Sequence, residues 1–201
     1  MVPVIIQTKN IALIHRIGEL RYSVWKEEKA ALDGMISQNR WVEHHDIDGT
    51  HFLAVIDDSI VAAARITLHQ SFDEVPDYHE YREMKLDLPG PIASFNRLVV
   101  RRDFRGKGLS SLMDRIRLRE AFRQGVSCTL ANGVGTQRRR SLEKLGFQFR
   151  GITPKNCDFM KSVDPDFHVM VHNMKHPPEG LGDDKVFLLP SSHDVEMKRV
   201  S

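Results

Sequence analysis

The segment from Leu98 to Met113 constrains the fold more than any other part of this sequence. An apolar, β-rich run, 92–100, is followed by a charged turn that contains Gly106 and Gly108, and then by a strongly helical stretch. A helix that begins directly after such a turn presents unpaired backbone N–H groups and the positive end of its dipole to one point. Because the glycines carry no side chains, an anion can approach that backbone closely. The segment therefore predicts a binding site for a phosphate-bearing ligand.

Spacing excludes two common phosphate-binding turns. A Walker loop requires Gly-x-x-x-x-Gly-Lys-Ser/Thr, and the run from Gly106 to Ser110 lacks that span. A dinucleotide fingerprint requires a third glycine where this chain has Ser111. Arg105 and Lys107 add cationic donors that suit a diphosphate. The turn therefore predicts a pyrophosphate cradle of another kind.

Composition places the chain among ordinary globular proteins. Its 201 residues are 41% hydrophobic and 28% charged, which suits one domain with a good core. A net charge of +2 is too small to argue for a nucleic-acid or membrane partner, and no apolar run reaches the length of a membrane span. Two cysteines do not make a disulfide framework, so we expect a cytoplasmic protein. No metal site is expected, because the adjacent side chains of His44, His45 and Asp46 rarely converge on one ion.

Hydrophobic periodicity predicts alternating strands and helices. Because hairpins flank the strand–helix units, the sheet should be mixed. We expect one domain over residues 1–175 and a loop-like tail over 176–201, with a further loop at 37–50. The predicted strands are 4–7, 51–56, 60–68, 92–100, 126–131, 147–152 and 167–171, and the predicted helices are 11–25, 26–35, 78–84, 107–124 and 136–145.

A second signal follows the glycine turn. Asn132 comes after an apolar strand, and a basic helix then ends in the run Leu142-Glu-Lys-Leu-Gly-Phe147. Together with Arg-Gly-x-Gly at a strand-to-helix joint, this order resembles the GNAT superfamily of acyl-CoA-dependent N-acyltransferases over roughly residues 94–149. The resemblance implies a single-domain α/β fold with a mixed, mostly antiparallel sheet flanked by helices. It also implies that the two central strands, 92–100 and 126–131, splay apart.

The same resemblance implies an enzyme that transfers an acyl group, with acetyl as the expected group, from acyl-CoA to a primary amine. The acceptor would be a small molecule or a peptide, no metal would be needed, and a homodimer is a candidate assembly. The residues implied to contact the cofactor are Leu98, Val99 and Val100 for the pantetheine arm, Arg105, Gly106, Lys107, Gly108, Leu109 and Ser110 for the pyrophosphate, and Asn132 for the pantetheine or its carbonyl.

The catalytic groups of the family are missing from their usual places. Where the family often has a glutamate before the glycine turn, this chain has Ser94 and its neighbours, and where the family often has a tyrosine it has Leu142. Ser141, Asn96 and His69 are the substitutes that we predict for proton transfer. Other groups that could relay a proton through water are His44, His45, Asp46, Asp48 and His51.

Two alternatives remain open. The first resembles the acyl-homoserine-lactone synthases and related N-acyl amino acid synthases, which use long-chain acyl donors. Their order of residues is matched by Arg21, Val24, Trp25, Trp41, Asp46, Asp48, Arg65 and Arg97. Against it, Ser94 replaces an expected glutamate, the spacing of the two aspartates is one residue short, and the intact Arg-Gly-Lys-Gly turn suits acyl-CoA. The second alternative is a catalytically degenerate sensor or scaffold that binds acyl-CoA.

Overall fold

The computed structural model describes residues 2–28, 38–153, 167–175 and 186–188. Its strands are β1 (Val4–Thr8), β2 (Thr50–Ile56), β3 (Ser59–His69), β4 (Ile92–Val100), β5 (Cys128–Val134), β6 (Gln148–Ile152), β7 (Phe167–Asn173) and β8 (Val186–Leu188). Its α-helices are α1 (Ile11–Glu27), α2 (His45–Asp48), α3 (Tyr78–Tyr81), α4 (Leu109–Arg123) and α5 (Gly135–Glu143). The chain divides into two compact units, 1–65 with 97–113 and 183–201, and 66–96 with 114–182.

The first unit packs α1 on strands. Asn10 starts this helix, because its side-chain oxygen accepts hydrogen bonds from the amides of Ala12 at 2.9 Å and Leu13 at 3.2 Å. Strand β1 pairs antiparallel with β2 and parallel with β8. Asp57 and Asp58, both with positive φ, form the turn between β2 and β3 that such a hairpin requires. The apolar core here consists of Ile6, Leu13, Ile17, Leu20, Val24, Leu53, Val55, Ile60, Ala63 and Val99.

The second unit is built around β5. This strand pairs antiparallel with β7, which in turn pairs with β6, and it pairs parallel with β4. The β4–β5 ladder has only four pairs and ends at Phe95 and Ala131, although β4 continues to Val100 and β5 to Val134. This early end agrees with the splayed strands that the resemblance implies. The core of this unit consists of Val75, Tyr81, Leu88, Ile92, Cys128, Leu130 and Val169.

The α/β fold with a mixed sheet is confirmed, and three local predictions need correction. The expected loop at 37–50 contains α2, and the expected loop-like tail contains β8, which pairs with β1. Asn132 lies within β5 rather than after it. Most of the helix predicted at 26–35 falls on residues 29–35, which lie outside the described residues. The boundary between domain and tail at residue 175 stays a prediction.

Candidate active site

The glycine turn has the conformation that an anion cradle needs. Gly106 and Gly108 have φ values of 74° and 80°, and a Cβ at either position would have no atom within 4 Å. The glycines are therefore required by the backbone conformation, and the space beside them is open. The amide of Leu112 donates to Gly108 O at 3.0 Å, so the preceding first-turn amides of α4 have no acceptor within the helix. Leu109 is buried and Ser110 is half-buried at the start of this helix.

The two cations of the turn already have partners in the first unit. Arg105, 42% exposed, donates to Glu28 Oε1 at 2.6 Å and to Val100 O at 3.1 Å. Lys107 donates to Asp103 O at 3.0 Å and lies over the ring of Phe104. Such surface contacts are weak, so a diphosphate can replace them at little cost. Of the strand residues predicted to contact pantetheine, Val99 is buried, whereas Leu98 and Val100 are half-buried.

Two of the three predicted catalytic residues lie together in the second unit. His69 Nε2 and Thr67 Oγ1 share a hydrogen bond of 2.8 Å, and Asn96 Nδ2 donates to the same hydroxyl at 3.3 Å. Asn96 Nδ2 also lies 3.2 Å from the hydroxyl oxygen of Ser94, the residue that stands where the resemblance implies a glutamate. These four side chains form a connected polar group beside the expected position of the base. Within the described residues, Ser141 on α5 forms no hydrogen bond with any of them.

A tyrosine that the sequence analysis missed contacts Asn132. Asn132 Nδ2 donates to the phenol oxygen of Tyr81 at 2.5 Å, and Tyr81 is buried in the core of the second unit, with an exposed fraction of 3%. The amide oxygen of Asn132 is buried and has no hydrogen-bond partner among the described residues. A buried amide oxygen without a donor is costly, and a ligand N–H group would satisfy it. Tyr81 was missed because it lies in an irregular crossover, 51 positions away from Asn132.

A buried charge cluster occupies the first unit. Asp46 is fully buried and accepts hydrogen bonds from Arg21 at 2.8 and 2.9 Å, from Arg65 at 2.7 Å and from the amide of Glu43 at 2.8 Å. Burial alone would raise the pKa of Asp46, but the charges of Arg21 and Arg65 outweigh it and hold that pKa at about 2. Desolvation lowers the pKa of Arg21 to about 10 against the opposing charge of Asp46. The cluster is therefore ionised at neutral pH.

Glu43 extends this cluster toward solvent. Its carboxylate, 18% exposed, accepts from Arg97 at 2.7 to 3.0 Å, from Arg65 at 3.1 Å and from the indole of Trp41 at 3.0 Å. Burial would raise the pKa of Glu43, but the charge of Arg97 and its hydrogen bond keep it below the ordinary value. Arg97 has a φ of 53° within β4 and stacks over the ring of Trp41. A non-glycine residue in this conformation is uncommon and is held here by its partners.

The structure thus brings together most residues of the synthase-like alternative. Arg21, Trp41, Asp46, Arg65 and Arg97 belong to one cluster, and the ring of Trp25 packs edge-on against Trp41 with 6.2 Å between centroids. The exposed Asp48 lies apart from their hydrogen bonds. Glu43 was missed by the sequence analysis, because no local motif marks it.

Several weaker candidates for proton relay have other roles. Both carboxylate oxygens of Asp46 are occupied by the hydrogen bonds from Arg21, Arg65 and the amide of Glu43. His51 is fully buried and donates to Asp46 O at 2.9 Å, and desolvation lowers its pKa to about 4. His44 and His45 pack on each other, with 3.7 Å between ring centroids. Among the described residues, no group of three or more His, Cys, Asp or Glu side chains could hold a metal ion.

A model of the acetyltransferase (GNAT) family matches residues 13–147, which is more than half of the chain. The chain belongs to the GNAT acetyltransferase family. No curated protein matches it. Within the described residues, no helix is long and apolar enough to cross a membrane.

Several solved structures resemble this fold. The CoA-dependent acyl-homoserine lactone synthase BjaI, with SAM and isopentyl-CoA, is 17% identical at a TM-score of 0.64, and the match covers 87% of this chain and 84% of that one. The AHL synthase LasI is 12% identical at a TM-score of 0.67, covering 94% and 98%. An N-acetyltransferase from Staphylococcus aureus Mu50 is 12% identical at a TM-score of 0.62, covering 88% and 100%. At these identities the likeness shows the fold alone.

Proposed function

We propose that this protein transfers an acyl group, with acetyl as the simplest case, from acyl-CoA to a primary amine. The observation that carries the proposal is the turn at Gly106 and Gly108, which opens α4 in a chain of the GNAT family. In this proposal the first-turn amides of α4, together with Arg105 and Lys107, bind the pyrophosphate. The backbone of Leu98 to Val100 and the side chain of Asn132 contact the pantetheine arm.

The chemistry requires a base for the amine. A primary amine is mostly protonated at neutral pH and attacks only as the free base. We assign His69 as the proton acceptor. Its ring is hydrogen-bonded to the Thr67 hydroxyl, which also accepts a hydrogen bond from Asn96. The amine nitrogen then attacks the thioester carbonyl carbon, and the π electrons of that carbonyl move to its oxygen. The ammonium form has by then given one proton to solvent, and His69 takes the second proton, which the positively charged nitrogen of the tetrahedral adduct releases.

The leaving thiolate requires a proton. When the carbonyl bond re-forms, the C–S bond breaks and its electron pair stays on sulfur. We assign the Tyr81 hydroxyl as the donor of the proton that this sulfur takes. The hydrogen bond from Asn132 positions that hydroxyl. The phenolate then regains a proton from solvent. Ser141 remains an alternative donor on α5.

A second candidate function is favoured by the charge cluster around Asp46 and Glu43. Its residues Arg21, Trp41 and Arg97 follow the order found in the acyl-homoserine-lactone synthases, and BjaI and LasI share the fold. In this candidate the acceptor amine belongs to an amino-acid-like molecule such as SAM, and the acyl chain is longer than acetyl.

One assay tests both candidates. The protein is mixed with acetyl-CoA, a branched short-chain acyl-CoA or a long-chain acyl carrier protein, each with a panel of primary amines that includes SAM, and thiol release is followed. Thiol release above hydrolysis with acetyl-CoA and any amine supports the proposal. Preference for a longer acyl donor together with SAM supports the second candidate. No release above hydrolysis with any pair contradicts both, and tight acyl-CoA binding alone then identifies a sensor.

A further inference from the structure

A cavity of about 550 Å³ lies within the second unit, at the beginning of β5. This volume falls in the range of small-molecule sites, about 300 to 1,000 Å³. Cys128 in its lining precedes Asn132 by four residues on the same strand, which places them about 13 Å apart at the rise of a β-strand. The buried side chains of Leu130 and Tyr81 belong to the core of the same unit. The proposed proton-transfer groups do not line this cavity.

Strand register gives the cavity an ordered floor. Cys128 pairs with Asn173, and Val171 pairs with Gln148, so these side chains lie on one face of the sheet. Leu88 and Met174 complete the apolar part of the floor and are buried. Burial raises the pKa of the Cys128 thiol to about 11, so the floor stays neutral at physiological pH.

Hydrogen bonds fix the walls. The amide of Ser127 donates to Pro91 O at 2.7 Å, and its hydroxyl donates to Gly90 O at 2.9 Å. The amide of Met174 donates to Ser127 O at 3.0 Å. Hydrogen bonds therefore join three segments of the unit around the cavity, at residues 90–91, 127 and 174, so that its shape does not depend on a single loop.

Cations dominate the rim. Arg150 and Lys175 are exposed, and neither forms an ion pair with any described residue. Arg150 is the extra residue of a β-bulge in β6, where Phe149 pairs with Met170 and Gly151 with Val169. Bulges re-aim a side chain, often next to a functional site. Among the described residues of the lining, Asp87 is the one acidic side chain, so the described lining carries a net positive charge.

We propose that this cavity binds an amphipathic organic anion, with its carboxylate or phosphate group on Arg150 and Lys175 and its apolar body on the floor formed by Leu88, Cys128, Val171 and Met174. Charge-assisted hydrogen bonds to guanidinium and ammonium groups recognise the anionic group. Burial of the apolar body supplies the rest of the affinity. The site is separate from acyl transfer and does not depend on that activity.

Calorimetric titration tests this proposal directly. The probes are sodium octanoate, octyl phosphate and octan-1-ol, each titrated into the full chain in saturating CoA so that the acyl-CoA site is already filled. We expect saturable 1:1 binding of at least one of the two anions, and the tighter one identifies the head group. Octan-1-ol should bind at least tenfold more weakly, which corresponds to about 1.4 kcal/mol.

Charge-neutralised variants complete the test. Arg150→Gln with Lys175→Gln should weaken binding of the preferred anion at least tenfold, because it removes both cationic donors. The fold should persist, because both positions are exposed. The matched control is Arg140→Gln with Lys144→Gln, which removes the same charge from exposed positions outside the lining, and it should bind as the wild type does. The proposal would be overturned if neither anion bound saturably, if octan-1-ol bound with equal affinity, or if the Arg150 and Lys175 variant kept the wild-type affinity.

Discussion

The phenol oxygen of Tyr81 accepts a hydrogen bond of 2.5 Å from the side-chain amide of Asn132 on β5. If Tyr81 protonates the thiolate, Tyr81→Phe should lower kcat with acetyl-CoA by about 100-fold while the buried ring keeps the fold. An aryl thioester of the same acyl group releases a more acidic thiol, so its rate should fall much less. Equal losses with both donors would mean that the hydroxyl has only a structural role.

The matched control for this prediction is Tyr78→Phe. Tyr78 lies on the same short helix, where its ring packs edge-on against Phe72, and it has no assigned part in the chemistry. It should keep the wild-type kcat with both donors.

The hydrogen bond between His69 and Thr67 holds the imidazole that we propose as the base for the acceptor amine. His69→Ala should lower kcat by about 10² to 10⁴ while the KM for acetyl-CoA changes little, because a proton acceptor acts mainly in the transition state. Added imidazole should restore part of the rate. The exposed His79 provides the control, since His79→Ala should leave kcat unchanged. A wild-type kcat in His69→Ala would exclude His69 as the base.

The open space beside Gly108 predicts that a side chain there blocks the cofactor and not the fold. Gly108→Asp should abolish measurable acetyl-CoA binding, because it adds bulk and a negative charge at the proposed pyrophosphate site. Gly125→Asp is the matched control, with a φ of 69°, no atom within 4 Å of its Cβ and a position after the end of α4. Calorimetry should give wild-type affinity for the control. Equal loss of affinity in both variants would point to backbone strain as the cause.

The charge cluster predicts a large stability loss in Asp46→Asn. The variant leaves Arg21 buried without a carboxylate and takes one of the two carboxylates from Arg65, and breaking a buried ion pair in this way typically costs about 3 to 5 kcal/mol. Urea unfolding at pH 7 measures this loss. Asp48→Asn, on the exposed side of the same short helix, should change stability by less than about 0.5 kcal/mol. Equal stability of the two variants would contradict the importance of the cluster.

The same aspartate predicts a pH dependence. Its pKa is about 2 in the folded protein against an ordinary value of 3.8. Because the folded-state pKa is depressed, the stability from Asp46 is complete above 3.8 and is lost as the pH falls through about 2. Unfolding measured between pH 5 and 2 should therefore show a steeper loss for the wild type than for Asp46→Asn, with most of the difference below pH 3.8.

Local signals in the sequence predicted the elements well. Periodicity identified β1, α1, the β2–β3 hairpin and β4, because each depends on residues close together in the chain. The glycine turn was predictable for the same reason, since positive φ at Gly106 and Gly108 is a property of a few consecutive residues. Helix α2 was missed because its four residues, His45–Asp48, are too few to show a helical period of hydrophobic residues.

Contacts between distant residues were not predictable from spacing. Glu43 joins Arg65 and Arg97 across 22 and 54 positions, and Asn132 joins Tyr81 across 51. No short pattern encodes such contacts, because tertiary packing creates them. Strand β8 was missed because Val186–Leu188 is too short to predict a strand without the β1 edge on which it pairs.

The most direct test of the central claim is to follow the backbone amides of residues 106–111 by ¹H–¹⁵N NMR during titration with acetyl-CoA. If the first turn of α4 binds the pyrophosphate, these amides should show the largest shift changes, and desulfo-CoA, which keeps the diphosphate, should shift them equally. Saturable binding of acetyl-CoA that leaves these amides unshifted would contradict the account.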